Sequence, residues 1–327
     1  MALNISRRSL IGTTAAGAAA ASLAGSPAVF AQDDLPVVGV GSKDFTESVL
    51  LGEMVAQLLE DNGFEVERQL NLGGTVVAHE AMLNGDIDTY VEYTGTGLLA
   101  ILGMELPEEE ASPEASPSAD AGATPESGGG IAQTVYDIVA EEYPAQFNVE
   151  WLEPWGFNNT YALALRRDRA EELGVTKVSD LEGLAGDLTI GATQEAVVRE
   201  DGIPGLEETY GIEFGDVVGL DPGLMYSAVD NGDVDIITAF ATDGRIESMD
   251  LVLLEDDLAF YPPYFAAPVV RQDLLEAAPN VEDILNSVAG TLDDARMAGL
   301  NYQVDEESQE IEDVARNFLT EEGLISG

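Results

Sequence analysis

The sequence predicts an α/β protein of two similar lobes, each a mixed sheet flanked by helices, joined by two chain crossings and facing each other across one ligand cleft. Three observations carry this. A chain of 327 residues with 45% apolar content is too long for one ordinary domain and suits two, each with its own core. A unit of apolar strand, then glycine and a hydroxyl, then a helical segment occurs twice, at Val37–Ser42 and at Leu188–Thr193. An Asn-Gly-Asp-x-Asp turn also occurs twice, at 84–88 and 231–235, each time closing a helix and opening a strand. In both copies an aromatic ring falls at the same offset past the second aspartate, Tyr93 in one and Phe240 in the other.

Charge narrows the function. The 13 basic residues stand against 62 acidic ones, a net charge of −49, so an electrostatic nucleic-acid footprint or attachment to anionic lipid is excluded. Self-repulsion at this density destabilises a compact state in dilute buffer and implies adaptation to high salt. Cysteine is absent, which removes disulfides, thiolate metal sites and cysteine nucleophiles. His79 is the only histidine and lies outside any H-E-x-x-H pattern, so it reads as a packing or surface residue and gives no basis for a zinc enzyme or a serine triad.

In order along the chain, residues 1–31 carry paired Arg7-Arg8, a weakly apolar Ala/Gly-rich run and Ala28-Val29-Phe30-Ala31, the pattern of a twin-arginine export signal cleaved after Ala31. No later stretch is apolar and long enough to span a bilayer. Leu35–Gly41 is a strand that feeds a helix at Val49–Leu59, placing Lys43 at the carboxyl edge of a sheet, where open α/β folds bind ligands. Phe64–Leu70 alternates as a strand, Val76–Leu83 is helical, and 89–96 is the strand that brings Tyr93. Gly97–Leu102 reads as helical. Residues 105–130, rich in Pro, Glu, Ser, Ala and Gly, form an acidic insertion with too little apolar surface to fold. A helix from Ile131 to Tyr143 and a strand at 147–152 lead to Trp155–Leu165, a ring- and amide-rich mouth followed by an apolar run, read as the first crossing. Arg166–Leu173 is a short helix, and the second lobe then repeats the first: strand 188–193, a helical segment bringing Arg199, helix 224–229 and the strand ending at Phe240. A strand at 252–254 precedes the proline-stiffened return crossing 256–270, which carries Tyr264. Amphipathic helices at 274–290, 293–299 and 309–319 finish the chain. Lobe one is thus 33–155 with 264–327, and lobe two 156–263.

The expected cleft is lined by Trp155, Tyr93, Tyr161, Phe240 and Tyr264, with Lys43 and Arg199 among its few cations. Ring faces attract a cation by about 0.5–2 kcal/mol each when desolvated, and a Lys or Arg holds a carboxylate. Four rings at about 1.5 kcal/mol and one charge-assisted contact of about 2 kcal/mol reach the roughly 8 kcal/mol of a micromolar site. A zwitterion with a bulky cationic end fits such a cleft.

The motifs Gly41-Ser42-Lys43-Asp44-Phe45-Thr46-Glu47, Glu92-Tyr93-Thr94-Gly95-Thr96, Gly156-Phe157-Asn158-Asn159-Thr160-Tyr161, Arg199-Glu200-Asp201-Gly202, Thr242-Asp243-Gly244-Arg245 and Phe260-Tyr261-Pro262-Pro263-Tyr264 occur in the order found in the substrate-binding proteins of glycine betaine/choline (osmoprotectant) ABC transporters. The resemblance covers nearly the whole chain after the signal. It implies a type II periplasmic-binding fold that closes on a quaternary ammonium compound and delivers it to a membrane permease. It implies an aromatic cage at Tyr93, Tyr161, Phe240 and Tyr264 and carboxylate contacts at Lys43 and Arg199, with no cofactor, no metal and no catalysis, in a monomer that works outside the cytoplasm. Phe240 stands where relatives commonly have Tyr, and Asn159 where some have Asp, which removes a counter-charge for the ammonium. Two rival readings are the same fold binding another small solute, such as an amino acid or ferric ion, and an exported hydrolase using a carboxylate pair.

The acidic composition yields the first prediction. Raising KCl from about 0.1 M to about 1 M, which shortens the screening length from about 10 Å to about 3 Å, should raise the melting temperature steadily, while an uncharged osmolyte of equal osmolality should not reproduce the gain.

Overall fold

Two five-stranded sheets with the same internal order organise the protein, whose computed structural model describes residues 35–107 and 130–327. The export signal expected at 1–31 and all but the ends of the insertion expected at 105–130 lie outside the described residues.

The first sheet has the order β2-β1-β3-β10-β4, built from β1 (Val37–Gly41), β2 (Glu65–Gln69), β3 (Thr89–Tyr93), β4 (Val149–Trp151) and β10 (Ala266–Arg271). The second has the order β7-β6-β8-β5-β9, from β5 (Tyr161–Arg166), β6 (Thr189–Thr193), β7 (Asp216–Leu220), β8 (Ile236–Phe240) and β9 (Leu251–Leu253). In each sheet the first three strands are parallel, and the fourth and fifth run antiparallel to their neighbours. The repeated turn accounts for part of this likeness. Gly85 and Gly232 end their helices in the left-handed conformation, at φ 77° and 75°. The second aspartate of each copy then grips the first parallel strand: Asp88 Oδ2 accepts from Gly39 N at 2.8 Å, and Asp235 Oδ2 from Thr189 N at 2.9 Å.

Helix α1 (Thr46–Asp61) buries the stripe Leu50, Leu51, Met54, Val55, Leu58 and Leu59, spaced to cover one face, and packs against α11 (Asp294–Asp305) and α12 (Ile311–Glu321). α2 (Thr75–Asn84) follows β2. The run after β3 is a short helix, α3 (Thr94–Thr96), continued by a π-turn at Gly97–Ile101, and α4 (Ile131–Phe147) passes through Pro144 in its last turn before ending. The second sheet is flanked by α5 (Arg167–Leu173), α6 (Ile203–Tyr210), α7 (Pro222–Asn231) and α8 (Arg245–Ser248); α9 (Gln272–Ala277) and α10 (Asn280–Asn286) return to the first. The helical segment expected to follow β6 is instead a run of turns over 194–202. There the Thr193 hydroxyl accepts from Ala196 N at 3.1 Å, and a new helix starts only where Pro204 supplies a pre-set φ in the first turn of α6.

The chain passes from the first sheet to the second at 152–160 and back at 254–265, and the two crossings bond to each other. Asn159 N donates to Tyr264 O at 3.1 Å, and Tyr264 N to Asn158 Oδ1 at 2.7 Å. Trp155, expected in the cleft, is fully buried in the first core instead. Its indole donates to Leu285 O at 3.1 Å, and its backbone joins Ala266 and Gly290, so it pins the crossing to α10 and the strand beside it. Replacing it with phenylalanine removes that donor and leaves the Leu285 carbonyl unpaired, at a cost of about 1–3 kcal/mol. Trp155→Phe should therefore lower stability in denaturant titration by that order and leave small-molecule affinity within about threefold, because no wall of the cleft changes.

Candidate ligand site

Rings from both sheets meet around a cavity of about 180 Å³, a volume suited to a small solute. Tyr93 is the last residue of β3 and Phe240 the last of β8, so both stand at the carboxyl ends of matched parallel strands. Tyr161 opens β5 directly opposite Phe240 in the antiparallel register. Tyr264 lies two residues before β10, on the return crossing. Tyr161 lies 5.3 Å from Phe240 and 5.4 Å from Tyr264, ring centre to ring centre. A fifth ring, Phe45 at the start of α1, stacks on Phe240 at 5.3 Å and 9° and lies 5.9 Å from Tyr93. Phe45 was not singled out from the sequence; its signal was its place at the strand-to-helix junction beside Lys43, where a side chain projects over the sheet's carboxyl edge.

Lys43 and Asn159 also line this cavity, both nearly fully buried. The Lys43 ammonium is paired with Glu92 and sits 5.1 Å from the centre of the Tyr93 ring. Glu92 in turn accepts from Tyr90 Oη at 3.1 Å. Arg199 does not line the cavity. Its guanidinium clasps Asp201 through both carboxylate oxygens, and Asp201 accepts from Tyr264 Oη at 2.8 Å. Arg199 thus acts on the site through a carboxylate that holds a ring. Glu195 spans the cleft mouth, accepting from Thr75 Oγ1 on the first lobe at 3.0 Å and lying 3.4 Å from Arg199 on the second.

The least expected residue is Glu47, in the first turn of α1 and 3% exposed. Its Oε1 accepts from Tyr93 Oη at 2.8 Å and Asn159 Nδ2 at 2.7 Å; its Oε2 accepts from Thr242 Oγ1 at 2.5 Å and Asn301 Nδ2 at 2.9 Å. Among the described residues it forms no ion pair. Burial pushes its carboxyl above the usual range, and the four donors oppose that. Burial, with the carboxylates beside them, likewise holds the Tyr93 and Tyr264 hydroxyls well above the ordinary phenol value, so they serve as neutral donors. Among the described residues no group of three or more His, Asp or Glu side chains is placed to hold a metal ion. His79 packs edge-on against Tyr143 and Phe147, and burial holds it toward the neutral form.

Two sheets of matching order, two mutually bonded crossings and a ring-lined cavity between them define a two-lobe solute-binding protein. Comparison with known proteins gives the family. Residues 36–321 match the substrate-binding domain of ABC-type glycine betaine transport systems, and the chain belongs to that family. It is 33% identical over 304 residues to the carnitine transport binding protein OpuCC of Listeria monocytogenes, covering 90% of this chain and 92% of that one. It is 34% identical over 297 residues to a glycine-betaine-binding protein of Pseudomonas aeruginosa, covering 88% of each. Among solved structures, that of a glycine betaine/carnitine/choline ABC transporter protein superposes with a TM-score of 0.67 at 28% identity, covering 88% of this chain and all of the other. The two-lobe fold read from the sequence is the fold of these relatives, and the protein is the substrate-binding component of an ABC import system.

Removing the Arg199 guanidinium strands Asp201, 5% exposed, without a counter-ion. Arg199→Met should lower the unfolding free energy by about 2–4 kcal/mol and loosen Tyr264, so that calorimetry finds weaker ligand binding together with the lower melting temperature.

Proposed function

We propose that the protein captures glycine betaine, choline or a related quaternary ammonium osmolyte, such as carnitine, and hands it to the membrane permease of its importer. The observation that carries this is the convergence of Tyr93, Tyr161, Phe240 and Tyr264, with Phe45, on one small cavity between the lobes. Ring faces are the cheapest way to hold a charge that cannot donate a hydrogen bond: a methylated nitrogen has no N–H, and the attraction of its diffuse positive charge to π-faces needs none. Five rings linked in a chain of contacts, Tyr93–Phe45–Phe240–Tyr161–Tyr264, also present an apolar wall to the methyl groups.

In this reading Tyr93, Tyr161, Phe240 and Tyr264 are the cage and Phe45 its lid on the α1 side. Asn159 orients the wall, and Lys43 faces the polar end of the solute. Arg199 positions Tyr264 through Asp201. Lobe one is 33–155 with 264–327 and lobe two 156–263, closing about the paired crossings. The protein turns over no substrate, acts as a monomer and is exported by the twin-arginine route to work outside the cytoplasmic membrane. Among the described residues no helix is long and apolar enough to cross a membrane.

Calorimetry at high salt with glycine betaine, choline, carnitine and proline tests the ligand class; heat from none of the three quaternary ammonium compounds rejects it. Tyr161→Ala opens the cage where three other rings converge, and should weaken whichever compound binds by about tenfold or more, since a desolvated ring contributes up to about 2 kcal/mol.

A further inference from the structure

We propose that Glu47 is the counter-charge of the cage, a buried carboxylate that makes the cavity prefer a positively charged nitrogen to a neutral group of the same shape. This inference rests on the aromatic-cage reading and adds to it the source of charge selectivity.

The other carboxylates near the cavity are each accounted for. Glu92 is paired with Lys43 and Asp201 with Arg199, so neither adds net charge. Asp44 and Asp221 line the cavity but are exposed, and Glu195 is partly exposed and lies beside Arg199. In the concentrated salt that the net charge of −49 implies, the field of an exposed carboxylate is screened within a few ångströms, whereas that of a buried one is not. Of the carboxylates near the cavity, Glu47 alone among the described residues is both buried and without a cation. It is one side chain away from the cavity: Tyr93 and Asn159, whose polar ends bind its Oε1, have their other surfaces on the cavity wall.

Four donors around it stabilise the ionised form against the upward push of burial on its carboxyl. Each oxygen accepts two hydrogen bonds, and the two that come from the Asn159 and Asn301 amides cannot be reversed, because an NH₂ group only donates. The Asn301 amide is fixed in that sense by a second bond, to Thr242 O at 2.9 Å. Protonation of Glu47 would need the Thr242 or Tyr93 hydroxyl to turn and accept its proton, giving up one of the four donated bonds. Asn159 stands where some of the proteins this chain resembles have an aspartate; a charge missing from the wall is thus present immediately behind it.

The test compares choline with dimethylbutanol, its neutral isostere carrying a tert-butyl group in place of the trimethylammonium, by direct and competition calorimetry at high salt. For the wild-type protein choline should bind at least about tenfold more tightly than the isostere, a difference of about 1.4 kcal/mol. Glu47→Gln should weaken choline by about tenfold and the isostere by less than about threefold, while Glu47→Asp, which keeps the charge, should preserve the wild-type ratio. Equal weakening of both ligands by Glu47→Gln would show that the residue only positions Tyr93 and overturns the proposal. An isostere bound by the wild-type protein within about threefold of choline overturns it without any variant. If the wild-type protein binds none of choline, glycine betaine and carnitine, the cage reading has failed instead, so the two failures are told apart.

Discussion

A carboxylate in a dry interior must be surrounded by donors, and at Glu47 those donors come from four places in the chain. Tyr93 ends a strand of the first sheet, Asn159 sits on a crossing, Thr242 follows the last parallel strand of the second sheet, and Asn301 lies on α11. An unsatisfied buried charge costs several kcal/mol, so each donor contributes to holding these four segments together. The lobes therefore cannot take an arbitrary relation around α1. The position that satisfies Glu47 is also the one that sets the Tyr93 ring against Phe45 and Phe45 against Phe240. A polar requirement behind the wall fixes the shape of the apolar wall.

The exchange of strands between lobes makes that coupling possible. Each sheet is three parallel strands extended by one antiparallel strand that arrives directly from the other lobe, β5 in one case and β10 in the other. The two arriving strands begin at the cleft edge, beside the carboxyl ends of β3 and β8. Tyr161 and Tyr264 consequently enter the site at the same level as Tyr93 and Phe240. Paired crossings joined by the Asn158–Tyr264 and Asn159–Tyr264 hydrogen bonds give a short, stiff connection at the floor of the cleft. Contacts such as Thr75–Glu195 and Arg245–Asp305 join the lobes away from the crossings.

In so acidic a chain the basic residues near the cleft are all engaged. Lys43, Arg199 and Arg245 each sit against a buried aspartate or glutamate, and Arg245 also stacks over the Tyr226 ring at 4.1 Å. The site's cations are therefore each paired locally, whereas Glu47 has no cation beside it among the described residues. High external salt leaves that inner balance unchanged, because screening acts on the solvent side of the surface.

Much of this was already decided by the sequence. The two halves, the duplicated Asn-Gly-Asp turn, the matched rings Tyr93 and Phe240 and the crossing at Trp155–Leu165 are local patterns, since strand and helix periods and glycine-ended helices depend on near neighbours. Sequence also put Tyr161, Tyr264, Lys43 and Asn159 near one cleft. It could not decide which way a side chain faces once two lobes are apposed. Trp155 looked like a wall of the cleft and is a core anchor; Arg199 looked like a ligand contact and reaches the cavity only through Asp201. The segment after β6 looked helical and is a string of turns. Phe45 and Glu47, two residues of one short motif, emerge as partners of the cage only when residues far along the chain are folded back onto α1. Periodicity records whether a residue is buried against its own sheet, whereas the donors around a buried charge and the rings around a cavity are collected across long sequence separations, and tertiary packing alone selects them.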